Sequence, residues 1–147
     1  MKKTTQLLIY SIVLIGLAVI DVITLGMDLR AGLLEMIFEG GSSEEGNVAR
    51  IVTLALVAYS VVCIWVNLYL GYKGIAEVRN LTRARLHIFI ARLAGTFNLI
   101  LAAFFALGLL DSTDLLHDLE TLGLCVIDMI LMYSYANVAK AVRNGEV

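Results

Sequence analysis

Proline is absent from this chain, cysteine and histidine occur twice each, tryptophan once, and only 16% of the side chains are charged. Without proline, helices run on without the kinks that its ring and missing N–H impose. The cysteines, Cys63 and Cys125, both fall inside apolar windows at unequal depths, so they are read as small packing residues and not as a disulfide. Neither belongs to a Cys-x-x-Cys or Cys-plus-His metal pattern. Also missing are Gly-x-Ser-x-Gly, His-Glu-x-x-His and a phosphate-binding glycine loop. No enzymatic activity, cofactor or nucleic-acid partner is therefore expected. Gly-x-x-x-Gly, a dimerisation signature of transmembrane helices, does not occur either.

What the chain has instead is apolar length. Of 147 residues 60% are hydrophobic, and they cluster. A soluble domain is about half apolar and about a quarter charged. Windows at residues 6–27, 49–72, 88–110 and 119–139 each supply the roughly 20 residues needed to cross about 30 Å of hydrocarbon. The expectation is an all-α integral membrane four-helix bundle forming one domain over residues 1–147. The first window is too long for a signal-peptide core and lacks a clean cleavage site before Met27, Asp28 and Arg30, so it is read as a retained helix.

Net charge is −2, but the charges are sorted along the chain. Lys2 and Lys3 precede the first window. Lys73, Arg79, Arg83, Arg85 and Arg92 surround the second connection against one acid, Glu77, and Lys140 and Arg143 follow the last window against Glu146. The other two connections are acidic, with Asp28, Glu35, Glu39, Glu44 and Glu45 in one and Asp111, Asp114, Asp118 and Glu120 in the other. By the positive-inside rule both termini and the middle connection are cytoplasmic. That makes the chain a multi-pass plasma-membrane protein whose first partner is the lipid bilayer. Arg79, Arg83 and Arg85 are candidate contacts for lipid headgroups, or obey topology alone.

The connections carry further signals. Leu29, Leu33, Met36 and Ile37 recur at helical spacing, predicting a short interfacial helix over 28–39. GGSSEEGN at 40–47 reads as a loop, and Asp111 or Ser112 as a helix N-cap. Asp114, His117 and Asp118 have the spacing of a divalent-ion clamp but sit in a solvated acidic stretch. Both histidines fall outside the four windows. LYLGYKGIAEVRN at 68–80 and MYSYANVAKAVRN at 132–144 share Tyr and Val-Arg-Asn in register. Either the chain is two duplicated hairpins, or interfacial preferences have converged.

Two aspartates interrupt the apolar windows, Asp21 in GLAVIDVITLG and Asp128 in GLCVIDMILM. A charge at mid-membrane costs upward of about 3 kcal/mol, so such a residue faces protein or water. By residue count both lie roughly 9 Å beneath the outer boundary, on the first and last helices. One reading is a proton or cation site of Asp21 and Asp128, with Thr24 and Asn98 adding oxygens. The other is a structural polar contact, with Arg50 reaching down to either acid. Asn67, Asn98 and Asn137 are candidate interhelical hydrogen-bonding residues. Function divides accordingly. The first expectation is a non-catalytic accessory or scaffold subunit interacting with lipid or protein, as a homo-oligomer or in a larger membrane complex. The second is a small oligomeric proton- or cation-coupled transporter or channel.

Overall fold

The computed structural model describes residues 2–33, 35, 37, 44–79, 85–108 and 115–145, and within the helices the side chains of all but 33, 44, 45, 49, 108, 115–118 and 120. Among these residues the fold is all helical. Four α-helices follow one another: α1 (Lys3–Asp28), α2 (Glu44–Val78), α3 (Leu86–Gly108) and α4 (Leu115–Arg143). Each includes a stretch long and apolar enough to cross a membrane. At 35 residues α2 is the longest, about 52 Å at 1.5 Å per residue. It exceeds the thickness of a hydrocarbon core and continues past the apolar window on the Glu77 side.

The helix ends have local causes. Beyond α1, a π-helical turn, Leu29–Leu33, runs into Gly32 at φ 120°, a backbone conformation side chains disfavour, and the regular helix stops. The predicted interfacial helix over 28–39 thus begins as this π turn; most of its later residues lie outside the described set, as do residues 40–43 of the predicted loop. Lys140 and Arg143 occupy the last turn of α4, where cations complement the helix dipole. Gly145, at φ 82°, closes that helix with its N–H on Val142 O at 3.1 Å.

Burial follows a repeat of alternating three- and four-residue steps on every helix. On α1 the inward seam is Leu7, Ser11, Leu14, Ala18, Asp21 and Leu25; on α2 it is Thr53, Val57, Ser60, Ile64, Asn67, Gly71 and Gly74. On α3 it is Ile88, Ala91, Gly95, Asn98, Ala102 and Phe105, and on α4 Cys125, Asp128, Met132, Tyr135 and Ala139. Such a 3.5-residue period is that of left-handed helix packing. The seams mix small and polar residues with larger ones such as Leu7, Leu14 and Tyr135, whereas Ile20, Ile23, Leu56, Trp65, Phe89, Phe104 and Ile127 point outward. A water-soluble helix has the opposite polarity.

The contacts divide the chain into two compact units, one of Met1–Ser11 with Tyr72–Val147, the other of Ile12–Gly71. In the first, α3 and α4 pack along each other. Gly95 lets them approach: a Cβ there would meet the Tyr133 ring at 3.2 Å. Beside it, Thr96 Oγ1 and the Tyr133 hydroxyl are 2.8 Å apart. At the other crossing, Gly74 of α2 lies against Ser11 and Tyr135, and a Cβ on Gly74 would press on Ser11 Oγ and stand 2.9 Å from the Tyr135 ring. Ser11 is tied down by donating to Leu7 O at 2.7 Å. Gly74→Ala is therefore expected to lose roughly 1–3 kcal/mol through overpacking. Gly16→Ala, with open space around it, should be neutral or gain about 0.5–1 kcal/mol of helix propensity. Unfolding in detergent micelles measures both; equal effects would remove the close crossing from the explanation.

Candidate functional site

Polar side chains inside apolar helices are the places to look for chemistry, and the structure gathers them in two groups, one in each unit. In the unit of Ile12–Gly71, Asp21 lies on the α1 seam three residues beyond Ala18, which is buried. Asn67 of α2 is also buried, and its amide donates to Asp21 Oδ2 at 3.5 Å, a long, weak hydrogen bond. Asn67 Oδ1 is buried with no hydrogen-bond partner among the described residues. Thr24, one turn from Asp21, is exposed, and Arg50 is exposed at the start of α2. The side chain within hydrogen-bond distance of Asp21 is thus Asn67 and not Arg50.

Asp128 and Asn98 belong to the other unit, on the seams of α4 and α3. Asn98 is buried and Asp128 half-buried, one turn from Cys125. Asn137 is exposed on α4. Asp111, Ser112 and Asp114 lie outside the described residues, as do the side chains of His117 and Asp118. No cluster of three metal-ligating side chains occurs among the described residues.

The second group was not anticipated. Glu77, counted from the sequence as a loop acid, is the penultimate residue of α2, and His87 is the second residue of α3. Both are buried, His87 completely, with Nε2 2.5 Å from Glu77 Oε2. The Tyr135 ring meets His87 edge-on, 6.1 Å between centroids. Arg143 lies in the last turn of α4. With Ser11 and Gly74 a turn away, this contact brings together the start of α1, the end of α2, the start of α3 and the end of α4.

As an ion pair the contact would suit neither helix, because an anion at a C-terminus and a cation at an N-terminus both oppose the helix dipole, each by about 0.3–1 kcal/mol, and taking two charges out of water costs several kcal/mol per ion. The contact's effect is to specify one arrangement of the α2–α3 turn, because either side chain alone would be a buried polar group without its partner.

Comparison with family models, with curated proteins and with solved structures finds no match. The chemistry must be argued from these residues.

If the pair is a specifying contact, His87→Leu alone should destabilise by about 3–5 kcal/mol, since Glu77 stays buried without its partner. Glu77→Leu combined with His87→Leu should recover most or all of that loss. A double-mutant cycle by chemical unfolding in micelles checks both, and additive losses would show the two side chains to be independent.

Proposed function

We propose that this chain is a multi-pass membrane protein without catalytic activity, acting as an accessory or scaffold subunit whose outer helix faces contact lipid and neighbouring membrane proteins. One observation carries the proposal: the large apolar side chains face out. Only 11% of the most apolar stretch of α2 is buried within the chain, and 33% of that of α4, the most enclosed. Ile51, Val52, Leu54, Leu56, Val61, Val62, Trp65 and Leu68 are all exposed and occupy most of the circumference of α2. In water such a surface would aggregate. In hydrocarbon it is solvated, and helix association then depends on small and polar residues of the kind on the seams. The charge sorting supports reading both termini and the α2–α3 connection as cytoplasmic, and the plasma membrane is the proposed location.

A second reading has its own observation. Asp21 and Asn67 Oδ1 put a carboxylate and an unpartnered amide oxygen inside an apolar hairpin, and intramembrane acids mark ion and proton paths in transporters. Asp128, on the α4 seam, is the second candidate acid for such a path.

Flux and assembly separate the two. In proteoliposomes under an imposed pH gradient, with membrane potential clamped, the subunit reading expects no flux above empty vesicles. It also expects a particle larger than the 16.1 kDa monomer when native membranes are solubilised mildly and weighed by native mass spectrometry. Cation or proton flux that Asp21→Asn or Asp128→Asn abolishes would reverse the choice in favour of a transporter.

A further inference from the structure

The end of the first unit where Glu77 meets His87 is unusual in what it leaves on the surface. Glu77 is the one acidic side chain among the described residues there, and it is buried against His87. Lys2, Lys3, Arg79, Arg85 and Lys140 are exposed, and Arg143 is half-buried beside them. Every exposed charge among the described residues at this end is therefore positive. Arg79 and Arg85 are set by structure: Arg79 follows the last residue of α2, its N–H on Ile75 O at 3.1 Å, and Arg85 immediately precedes α3, its carbonyl accepting from Phe89 N–H at 3.2 Å. The contact that fixes the two helix ends between them also buries the one acid among the described residues of this end.

Aromatic side chains mark where this end meets the bilayer. Trp65 is exposed and stacks on Tyr69, 5.4 Å between centroids, and Tyr72 is exposed with the Lys73 ammonium 5.8 Å from its ring centre. Trp and Tyr favour the level of the headgroups. Along α2, Arg79 follows Tyr72 by about two turns and Trp65 by about four.

We propose that the surface formed by Lys2, Lys3, Arg79, Arg85, Lys140 and Arg143 binds the phosphate headgroup of an anionic phospholipid, and that His87 serves it by holding Glu77 out of that surface. The inference rests on the proposed membrane reading and names a partner for it. Phospholipid is the occupant because the cations surround helix ends that leave an apolar outer face, so one ligand with a phosphate and acyl chains satisfies both. A soluble anion would meet only the charges.

The test uses the full chain in phosphatidylcholine vesicles containing a trace of spin-labelled phosphatidylglycerol or spin-labelled phosphatidylcholine. Alkaline washing first establishes that the chain stays in the bilayer; a chain stripped off would overturn the membrane reading and this inference together. For a retained chain, electron spin resonance should show phosphatidylglycerol immobilised preferentially. That preference should fall by roughly fivefold for each cation removed in Arg79→Gln and Arg85→Gln, and should weaken in high salt. Both residues are exposed, so folding is not at stake. Arg30→Gln with Arg50→Gln should leave the preference unchanged. Glu77→Gln should also leave it unchanged, because that carboxylate is already off the surface; a rise would show Glu77 competing there and overturn the role given to His87. Equal immobilisation of the two lipids by the wild type would overturn the site while leaving the membrane reading standing. Loss of the preference on adding glycerol phosphate or polyglutamate at matched ionic strength would assign the surface to a soluble anion or an acidic protein and overturn the lipid assignment.

Discussion

Turning polar side chains inward is the constraint on which the rest of this structure depends. A helix surrounded by hydrocarbon satisfies its own backbone but has nowhere to put a carboxylate or an amide except against another helix. Asp21, Asn67, Asn98 and Asp128 all fall on the inward seams, at the same 3.5-residue period as the small residues that let the helices close. Hydroxyls also return to their own helix, as Ser60 does to Leu56 O at 3.1 Å and as Thr96 does to Arg92 O at 2.9 Å while also meeting the Tyr133 hydroxyl across the interface. Packing thus combines size and polarity with a few large buried side chains such as Leu7, Leu14, Leu70 and Tyr135, and leaves many other hydrophobic residues on the outer faces.

Glu77 and His87 extend the same logic to the helix ends. Burying a lone charge costs more than the pair returns, so the contact constrains where α2 stops and α3 begins more than it stabilises either. Its proximity to Gly74, Ser11 and Tyr135 makes one crowded crossing, in which a single methyl group would disturb α1, α2 and α4 together. The exposed arginines that flank the turn inherit their positions from it.

Much of the architecture was legible in the sequence because hydropathy and helix length are local properties. The four windows lie almost wholly within the four helices, and the helix at the end of the second window simply runs further, to Val78. The place of the aspartates could also be anticipated, since cost alone requires an intramembrane acid to face protein. Their partners could not. Asn67 lies 46 residues from Asp21, and nothing in either local pattern selects it over Thr24, Arg50 or Asn98. Glu77 and His87 were hidden for a different reason: a window that averages hydropathy ends where charge begins, so both were assigned to a connection. A faint signal existed in the small residue Gly74 one turn before Glu77, on a helical pattern that had not yet broken. The weak likeness between 68–80 and 132–144 gives no hint of the pair, because Glu77 corresponds to Ala141 in that register.

For function, the inside-out polarity matters more than any single residue. It leaves large apolar side chains on the outer faces of the helices and polar ones on the seams and at the charged helix ends. The most direct measurement is therefore of sidedness. In a chain with Cys63→Ala and Cys125→Ala, single cysteines placed by Lys3→Cys, Ser43→Cys, Arg85→Cys, Ser112→Cys and Asn144→Cys would be labelled in intact cells with a membrane-impermeant maleimide. Four crossings with both termini inside require labelling from outside at positions 43 and 112, and at positions 3, 85 and 144 only after permeabilisation. Labelling of all five from the same side would contradict a chain that crosses the membrane four times, and the exposed apolar faces would then need another explanation.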